Sequence, residues 1–338
     1  MGMTHEIIQL ISGYHKARET GLKTALATVV ELQGSSYRKP GVRMLLLENG
    51  TAYGAVSGGC VEKEIFRQAA GVFQTGQPKI MEYDGRFRLG CEGILYILIE
   101  PFEPAETTLE AFEAVVRSRE TFRMETYYHT QIGQAPGSGT ILLLNGEVHA
   151  ISGHMPGETG LVLKQEMPPR LRLDIYGGEH DAVQLTALGA RLGWEVRVTV
   201  ASDEAKHPED FPGVCELRAL IPESLDASDV DPQTAVVLMT HSYTKDLKYL
   251  MRLAQASPGY LGILGPAARR EKLLGDFLER YFGDIPPWID AVYGPAGLDI
   301  GAITPQEIGV SILAEILSVL RQRTIPVSLR EKTGAIHS

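Results

Sequence analysis

Cysteine is scarce in this chain, which has only Cys60, Cys91 and Cys215 among its 338 residues. The three form no CxxC pair and no even framework, which excludes a disulfide-stapled domain and argues against a structural zinc site. Such sparing use of cysteine is typical of the reducing cytoplasm, and we expect the protein to be cytoplasmic.

Long apolar runs and an excess of positive charge are also absent. No stretch approaches the roughly 18 apolar residues that a membrane-spanning helix needs. The opening segment MGMTHEIIQLISGYHKARET has the spacing of an amphipathic helix rather than of a signal peptide. The net charge of -10 argues against general binding to nucleic acid or to an anionic membrane surface. We therefore expect neither nucleic acid nor membrane as a partner.

The second half of the sequence alternates regularly between apolar strands and helical segments. Strands are predicted at 171–176, 195–200, 234–240 and 260–265. This alternation predicts a parallel sheet covered by helices on both faces. We predict an α/β protein with an N-terminal α+β domain over residues 1–165 and a C-terminal Rossmann-like, doubly wound parallel-sheet domain over residues 166–338. Adjacent prolines in KQEMPPR (164–170) predict the linker.

The first loop of the Rossmann-like half, in LDIYGGEHDAVQL, nearly matches the dinucleotide-binding fingerprint. That fingerprint has glycine where this chain has Gly177, Glu179 and Ala182. Glu179 places a side chain and a negative charge where a pyrophosphate would approach the backbone. The carboxylate that would hold the ribose is also unclear, because Asp203 lies rather far beyond the loop. We therefore expect no NAD at this position.

Three later loops carry glycines, polar side chains and the starts of helices: MTHSYTKD, LGPAARR and YGPAGLDIGAITPQEIG. Ligands of open α/β sheets bind outside the carboxyl ends of the strands. We therefore expect cofactor-binding residues in these loops, namely His241, Asp246, Gly265 and Asp299. A purely structural role, in which it caps or braces its loop, is the alternative for His241. The third loop ends in TPQE (304–307), a capping box that predicts the start of a helix.

Two cysteines lie in glycine-flanked turns, VSGGCVEKE and RLGCEGIL. Cys60 follows Gly58 and Gly59 where a strand passes into a helix, a position whose amides and helix dipole favour a thiolate. One interpretation is that Cys60 and Cys91 are small, buried and inert. The other is that they are soft thiolates that bind a transition metal or carry sulfur as a persulfide.

A polar segment, GSSYRKPGVR, precedes these turns. Its Ser35, Ser36 and Arg43 are groups able to hold an anionic ligand. Together with the cysteine turns, the segment predicts a polar binding site with soft sulfur ligands in the N-terminal half.

Taken in order, these motifs resemble the XdhC/CoxI family, accessory proteins of xanthine dehydrogenase and related molybdenum hydroxylases. The N-terminal part of the resemblance is QGSSYRKPGVRML, GAVSGGCVE and LGCEG. The C-terminal part is VVLMTHSYTKDL, YLGILGPAARREKL and GPAGLDIGAITPQEIGVSILAEI. The family has a GAGHVG-like loop where this chain has GGEHDA, so that His180 matches whereas Glu179 and Ala182 depart.

The resemblance implies a non-catalytic chaperone for the molybdenum cofactor. Such proteins bind molybdopterin transiently, work with a cysteine desulfurase while the terminal sulfur is added, and pass the cofactor to the apo-hydroxylase. It further implies that Cys60 and Cys91 contact the metal or its sulfur. The remaining cofactor-binding residues are then Ser35, Ser36, Arg43, Gly58, Gly59, His241, Asp246, Gly265 and Asp299. We expect xanthine dehydrogenase or a related hydroxylase of purine catabolism as the partner, and a homodimer as the oligomeric state.

Other functions are compatible with the same sequence. One alternative is a subunit of a xanthine dehydrogenase complex, or a nicotinamide-dependent oxidoreductase that uses the Rossmann-like domain, although no iron–sulfur cysteine pattern is present. A second is a sulfur-transfer protein whose Cys60 itself carries a persulfide. A third is a scaffold that binds the hydroxylase without touching the cofactor.

Overall fold

The computed structural model describes residues 3–34, 39–56, 59–85, 93–157 and 160–323, except for the side chain of Cys60. The chain divides between Pro169 and Arg170 into two compact units, called unit 1 and unit 2 below. Within the described ranges, no helix is long and apolar enough to cross a membrane.

The described part of unit 1 contains two antiparallel sheets and three helices. Its elements are α1 (Thr4–Glu19), β1 (Thr24–Gln33), β2 (Arg43–Leu47), β3 (Ala52–Gly54), α2 (Gly59–Thr75), β4 (Lys79–Asp84), β5 (Ile94–Pro101), α3 (Glu106–Ser118), β6 (Phe122–Tyr128), β7 (Gly133–Gln134), β8 (Gly139–Leu144), β9 (Glu147–Ala150) and β10 (Leu161–Met167). Sheet A has the order β3-β2-β1-β5-β4-β7, and sheet B has the order β10-β6-β8-β9.

The two faces of sheet A belong to different hydrophobic cores, because successive side chains of a strand point to opposite faces. Ala27 and Val29 of β1 share a core with Ile65 and Ala69 of α2, whose spacing places them on one side of that helix. Leu26 lies on the opposite face, in a core with side chains of α1, α3 and sheet B. Each fully buried leucine or isoleucine of these cores contributes about 1.5–3 kcal/mol.

Unit 2 is a parallel sheet with helices on both faces. Its elements are β11 (Arg172–Tyr176), α4 (His180–Arg191), β12 (Glu195–Val200), β13 (Glu216–Ala219), β14 (Thr234–Leu238), α5 (Tyr243–Leu253), β15 (Tyr260–Ile263), α6 (Ala267–Arg280), β16 (Val292–Tyr293) and α7 (Pro305–Leu320), with three short 3-10 helices. The strand order is β13-β12-β11-β14-β15-β16, and all described pairs are parallel. This is the doubly wound Rossmann order, whose direction reverses between β11 and β14. The predicted fold class is confirmed.

A buried ion cluster crosses one face of this sheet. Asp174 of β11 lies directly opposite Arg197 of β12 in the strand register. The Arg197 Nε donates to Asp174 Oδ1 at 2.7 Å, and a second guanidinium nitrogen contacts Oδ2, while both side chains are only 4% exposed. Asp229 accepts from the same guanidinium and from Arg172 Nη1, the latter at 2.9 Å. The cluster ties the segment before β14 to the centre of the sheet.

The structure corrects two local predictions. The linker predicted over 164–170 is wrong for its first four residues, because β10 pairs with β6 as far as Met167. Polar residues between the inward-facing positions of β10 conceal its period-two pattern. Asn49-Gly50 and Asn145-Gly146 in the sequence each predict a tight hairpin turn with positive φ angles, but the two turns differ. Asn145 and Gly146 both have positive φ, of 50° and 83°, as a type I′ hairpin requires, whereas in the first turn only Gly50 does.

Candidate functional site

The carboxyl ends of β11 and β14 lie side by side where the strand order of unit 2 reverses. Gly177 leaves β11 with a φ of +133°, and its N–H donates to the Thr199 carbonyl of β12 at 2.9 Å. A Cβ at this position would collide with the carbonyl oxygen of Met239. Only glycine fits between the two neighbouring strands, so this first position of the fingerprint is retained for packing.

The second position of the fingerprint, Glu179, is the N-cap residue of α4. Its side chain is exposed and forms no capping hydrogen bond with the first turn of the helix. The third position, Ala182, is fully buried against the sheet. The carboxylate of Glu179 therefore accepts no hydrogen bond from the first turn of α4, where Asp181 supplies a negative charge.

His241 lies in the loop after β14, beside the start of α4. Its φ of +54° is in the left-handed region, which costs a non-glycine residue about 1–2 kcal/mol. The imidazole is 52% exposed, and its Nε2 lies 3.7 Å from Asp181 Oδ2 in the first turn of α4. The structure thus brings the β11 and β14 loops together through a half-exposed histidine and a carboxylate.

Asp246 and Gly265 form a brace beneath these loops. The side chain of Asp246 is 1% exposed, accepts from Thr240 Oγ1 at 2.6 Å, and accepts from Arg269 Nη2 at 2.7 Å. A Cβ on Gly265, whose φ is +117°, would lie 2.9 Å from Arg269 Cδ, so the glycine admits the arginine. Both predicted residues hold the β14 and β15 loops together, and their contact with a ligand stays a prediction.

Asp299 is exposed in the long loop between β16 and α7. That loop is fixed by Glu315, which accepts from Gly297 N at 2.8 Å and from Tyr260 Oη at 2.6 Å. At its end, Thr304 accepts from Glu307 N in the predicted capping box, which is confirmed. Asp299 precedes α7 in the chain and forms no hydrogen bond or ion pair within the described residues.

Three charged residues that the sequence analysis did not select line the same edge of the sheet. Glu204 and Lys206 follow β12, and the carboxylate of Glu204 lies against Gly178. Its Oε1 contacts Lys245 Nζ of α5 at 3.3 Å, whereas Oε2 is buried without a hydrogen-bond partner among the described residues. The signal that could have found Glu204 and Lys206 is the charged run ASDEAK directly after a predicted strand, whereas Lys245 lies in α5 and is brought to Glu204 by the fold.

In unit 1, Arg43 is 5% exposed and faces the space between sheets A and B. Its Nη1 donates to the carbonyl of Gly41 at 2.9 Å, and its Nη2 lies 3.5 Å from Thr126 Oγ1. Burial lowers the pKa of Arg43 to about 10, a change opposed by the charge of Glu100. The buried guanidinium therefore contacts Gly41, near the end of the GSSYRKPGVR segment to which Arg43 itself belongs.

A chain of hydroxyl groups connects this arginine to a buried carboxyl. Thr126 Oγ1 is 2.9 Å from Thr140 Oγ1, which donates to Glu100 Oε1 at 2.6 Å, and Thr140 N donates to Oε2 at 2.9 Å. Because arginine only donates and an ionised carboxylate only accepts, every hydroxyl proton then points toward Glu100. Burial raises the pKa of Glu100 to about 7, against the opposing effects of Thr140 and Arg43.

Most of the other predicted residues of unit 1 lie outside the described residues. Ser35, Ser36, Gly58 and Cys91 are outside the described residues, as is the side chain of Cys60. Gly59 begins α2, so the backbone of Cys60 is in the first turn of a helix. Within the described part of the chain, no cluster of three or more His, Cys, Asp or Glu side chains could hold a metal ion.

Comparison with known proteins identifies the family. The family model described as the XdhC Rossmann domain matches residues 173–316, and that described as the XdhC and CoxI family matches residues 17–84. The chain belongs to the XdhC and CoxI family. The two matches lie in the two units in the same order as the motifs noted in the sequence.

Three known proteins extend the similarity over nearly the whole chain. A Bacillus subtilis protein that is named as a probable subunit of xanthine dehydrogenase is 29% identical over 89% of this chain and 94% of its own. "Molybdenum cofactor insertion chaperone PaoD" of Escherichia coli is 25% identical over 90% of this chain and 86% of its own. A crystal structure described as a xanthine dehydrogenase from Bacillus halodurans matches with a TM-score of 0.76 and 26% identity, over 94% of this chain and 97% of the other.

Proposed function

We propose that this chain is a non-catalytic accessory protein that binds the molybdenum cofactor transiently, supports its sulfuration, and inserts it into xanthine dehydrogenase or a related hydroxylase. The observation that carries the proposal is family membership combined with similarity, over 90% of the chain, to a relative named as a molybdenum cofactor insertion chaperone. The partners in this function are the hydroxylase and a cysteine desulfurase, and the protein acts as a cytoplasmic homodimer.

The chemistry of the cargo agrees with the described residues. Molybdopterin carries a phosphate, which is stabilised by cations and by the positive end of a helix. The carboxyl edge of the unit 2 sheet presents Lys206 and Lys245 as well as the start of α4, which no side chain caps. His241 and Asp299 are exposed near the same edge and are the proposed direct contacts there.

In unit 1, we assign the metal or its terminal sulfur to Cys60 and Cys91, and the anionic groups of the ligand to Ser35 and Ser36. A thiol in the first turn of a helix has its thiolate stabilised, which suits a soft metal or a persulfide. Arg43 supports this site indirectly, because its buried guanidinium donates a hydrogen bond to the carbonyl of Gly41.

Retention of the pterin tests the proposal. Wild-type protein and the Cys60→Ala variant are mixed anaerobically with molybdopterin and gel-filtered, and the retained pterin is oxidised to its fluorescent derivative. Cys215→Ala is the matched control, since Cys215 is an exposed free cysteine outside these motifs. Retention by the wild type and the control, with loss in Cys60→Ala, supports the proposal. Retention by all three moves the pterin contact away from Cys60, and no retention by the wild type contradicts a chaperone.

One observation favours a second function, a stable subunit of a xanthine dehydrogenase complex. The Bacillus subtilis relative carries a subunit name, and the structure from Bacillus halodurans is described as the enzyme. Purification of the native hydroxylase from a host that expresses a tagged form of this chain separates the two functions. A stoichiometric complex in the mature, cofactor-loaded enzyme supports the subunit, whereas binding only to the apo-enzyme supports the accessory protein.

A further inference from the structure

The Gly41 turn (residues 39–42) directly precedes β2 and is held by a side chain from that strand. The N–H of Gly41 donates to the Val29 carbonyl of β1 at 2.7 Å, and the Gly41 carbonyl accepts from Arg43 Nη1 at 2.9 Å. The φ of Gly41 is +99°, and a Cβ at this position would collide with the side-chain amide of Gln165 in β10. Within the described structure, Gly41 is therefore fixed by one main-chain hydrogen bond and by the guanidinium of Arg43.

Arg43 is a buried cation that contacts no carboxylate in the described part of the chain. The residue is 5% exposed, its Nη2 lies 3.5 Å from Thr126 Oγ1, and its Nε has no hydrogen-bond partner there. A buried charge without a counterion in contact is costly. The position of this guanidinium therefore depends on negative charge that acts from a distance.

Glu100 of β5 supplies that charge. Its side chain is fully buried and is connected to Arg43 through the hydroxyls of Thr140 and Thr126. Burial raises the pKa of Glu100 to about 7, while the hydroxyl and N–H of Thr140 and the charge of Arg43 oppose that rise. Because Arg43 in its present position favours the ionised carboxylate, the ionised carboxylate equally favours that position of Arg43.

The other charges near these groups are few within the described ranges. Glu6 of α1 acts on Arg43. Glu125 of β6 lies on the opposite face of sheet B from Thr126, where its Oε1 is 3.4 Å from Lys164 Nζ. A change in the charge of Glu100 therefore bears mainly on Arg43. The side chains that surround Glu100 and Arg43 from β1, β6, β8 and β10 are uncharged, namely Thr28, Thr126, Thr140 and Gln165.

Protonation of Glu100 changes the hydrogen bonds as well as the charge. In the ionised state Thr140 donates to Glu100 and Thr126 donates to Thr140, so the Thr126 oxygen is left to accept from Arg43. A proton on Glu100 Oε1 reverses the chain, because Thr140 then accepts from the carboxyl and donates to Thr126. The hydroxyl proton of Thr126 loses its acceptor and faces a guanidinium that has only donors. The ionised state therefore suits Arg43 better in both respects.

We propose that Glu100 is a positioning residue for ligand binding at residues 39–43: its ionised form fixes Arg43, and through it the Gly41 turn, so that an anionic ligand binds more tightly. Lys39 is exposed at the start of this turn and is the cation whose backbone the turn positions. A turn that is already ordered loses less conformational entropy on binding. The inference deepens the proposed function and rests on it for the identity of the ligand, the phosphate-bearing pterin.

Hydrogen–deuterium exchange of the ligand-free protein measures the effect on the turn. After correction for intrinsic rates, amide protection of a peptide that covers residues 39–43 should be about 3- to 10-fold higher at pH 8 than at pH 6, the range for groups coupled in one hydrogen-bond network. Peptides from β6 report the opening of unit 1 as a whole. The raised pKa of Glu100 weakens the whole unit toward pH 7, so the two effects have opposite signs.

Variants locate the effect at Glu100. Glu100→Gln should show equal protection of the turn at both pH values, close to that of the wild type at pH 6, because its side chain is neutral throughout. Arg43→Lys keeps the charge but lacks the planar fork, and should give low protection at both pH values. Glu103→Gln, at an exposed glutamate, is the matched control and should behave as the wild type. Equal protection of the wild-type turn at pH 6 and pH 8 would overturn the proposal without reference to any variant.

Pterin retention at the same two pH values connects the turn to the ligand. A phosphate group gains its second charge near about pH 6, so each variant is compared with the wild type at each pH. The ratio of molybdopterin retained at pH 8 to that retained at pH 6 should be about 3- to 10-fold larger in the wild type and in Glu103→Gln than in Glu100→Gln. Equal ratios in all three, with pterin retained, overturn this inference alone. A pH-dependent turn in a protein that retains no pterin at either pH overturns the proposed chaperone function alone.

Discussion

Replacement of Glu100 by glutamine should remove a pH dependence from the stability of unit 1. In the folded protein the pKa of this carboxyl is about 7, and an ordinary glutamate has 4.5. Between these values the folded protein holds a proton that the unfolded chain has released. The free energy of unfolding is therefore highest at low pH and falls as pH rises toward 7.

The expected size follows from the difference between the two pKa values, which corresponds to about 3 kcal/mol. Arg43, with a pKa of about 10, stays protonated from pH 5 to 8 and adds no slope there. Glutamine is neutral throughout, so the slope due to this position should vanish. At pH 8 the variant should be the more stable protein, by less than the full difference because Arg43 loses a favourable charge.

Urea unfolding at pH 5, 6, 7 and 8 measures this effect. Trp194 and Trp288 are the only tryptophans of the chain, and both lie in unit 2, so their fluorescence follows that unit separately. Far-ultraviolet circular dichroism then reports the transition of unit 1 by difference. Glu103→Gln, a change at an exposed glutamate, is the matched control and should behave as wild type.

Parallel pH profiles for the wild type and Glu100→Gln would refute the reasoning, because they would mean that burial does not raise the pKa of Glu100. A second variant sharpens the test. Thr140→Val removes the hydroxyl that donates at 2.6 Å and keeps the backbone donor, so the pKa of Glu100 should rise further. The loss of stability should then move to higher pH.

Further predictions concern unit 2 and are measured by urea unfolding with tryptophan fluorescence. Asp174→Asn breaks a buried ion pair and should destabilise the unit by about 3–5 kcal/mol; a loss below about 1 kcal/mol would contradict the buried pairing. Gly177→Ala should lower the free energy of unfolding by more than about 1 kcal/mol, because its φ is positive and a Cβ would collide with the carbonyl of Met239. Gly275→Ala, on an open helix face, should raise it by about 0.5–1 kcal/mol. Thr304→Ala should cost about 1 kcal/mol by removing the cap of α7, while Gln306→Ala, in the same turn, should have no effect.

The elements that the sequence predicts well are those set by local chemistry. The Asn145-Gly146 hairpin and the capping box at Thr304 follow from backbone preferences and appear as predicted. The alternation of strands and helices in unit 2 follows from their hydrophobic periods. Strand β10 was missed, because its lysine and its glutamate face outward and only its pairing with β6 shows which side is buried.

The candidate site was harder to predict, because its residues meet through tertiary structure. Asp246 stands out in the sequence, but its contact with Arg269 crosses from α5 to α6. Glu204 is one of several acids after β12, and no local pattern shows that it folds back onto Gly178. The positive φ of His241 is likewise imposed by the braced loop around it.

The strand order of unit 2 also bears on how the chain emerges from the ribosome. Strand β11 is made first and lies inside the finished sheet, with β12 on one side and β14 on the other. β12 follows closely, but β14 begins at Thr234, about sixty residues after β11 ends, which at 5–20 residues per second is a delay of roughly 3–12 s. During that interval one edge of β11, which is fully buried in the finished sheet, has no partner strand. That edge is open to pairing with another nascent chain. Asp174 and Arg197 are both synthesised before β14, so their ion pair can form on the early strand pair and place charge beside the edge that β14 later covers.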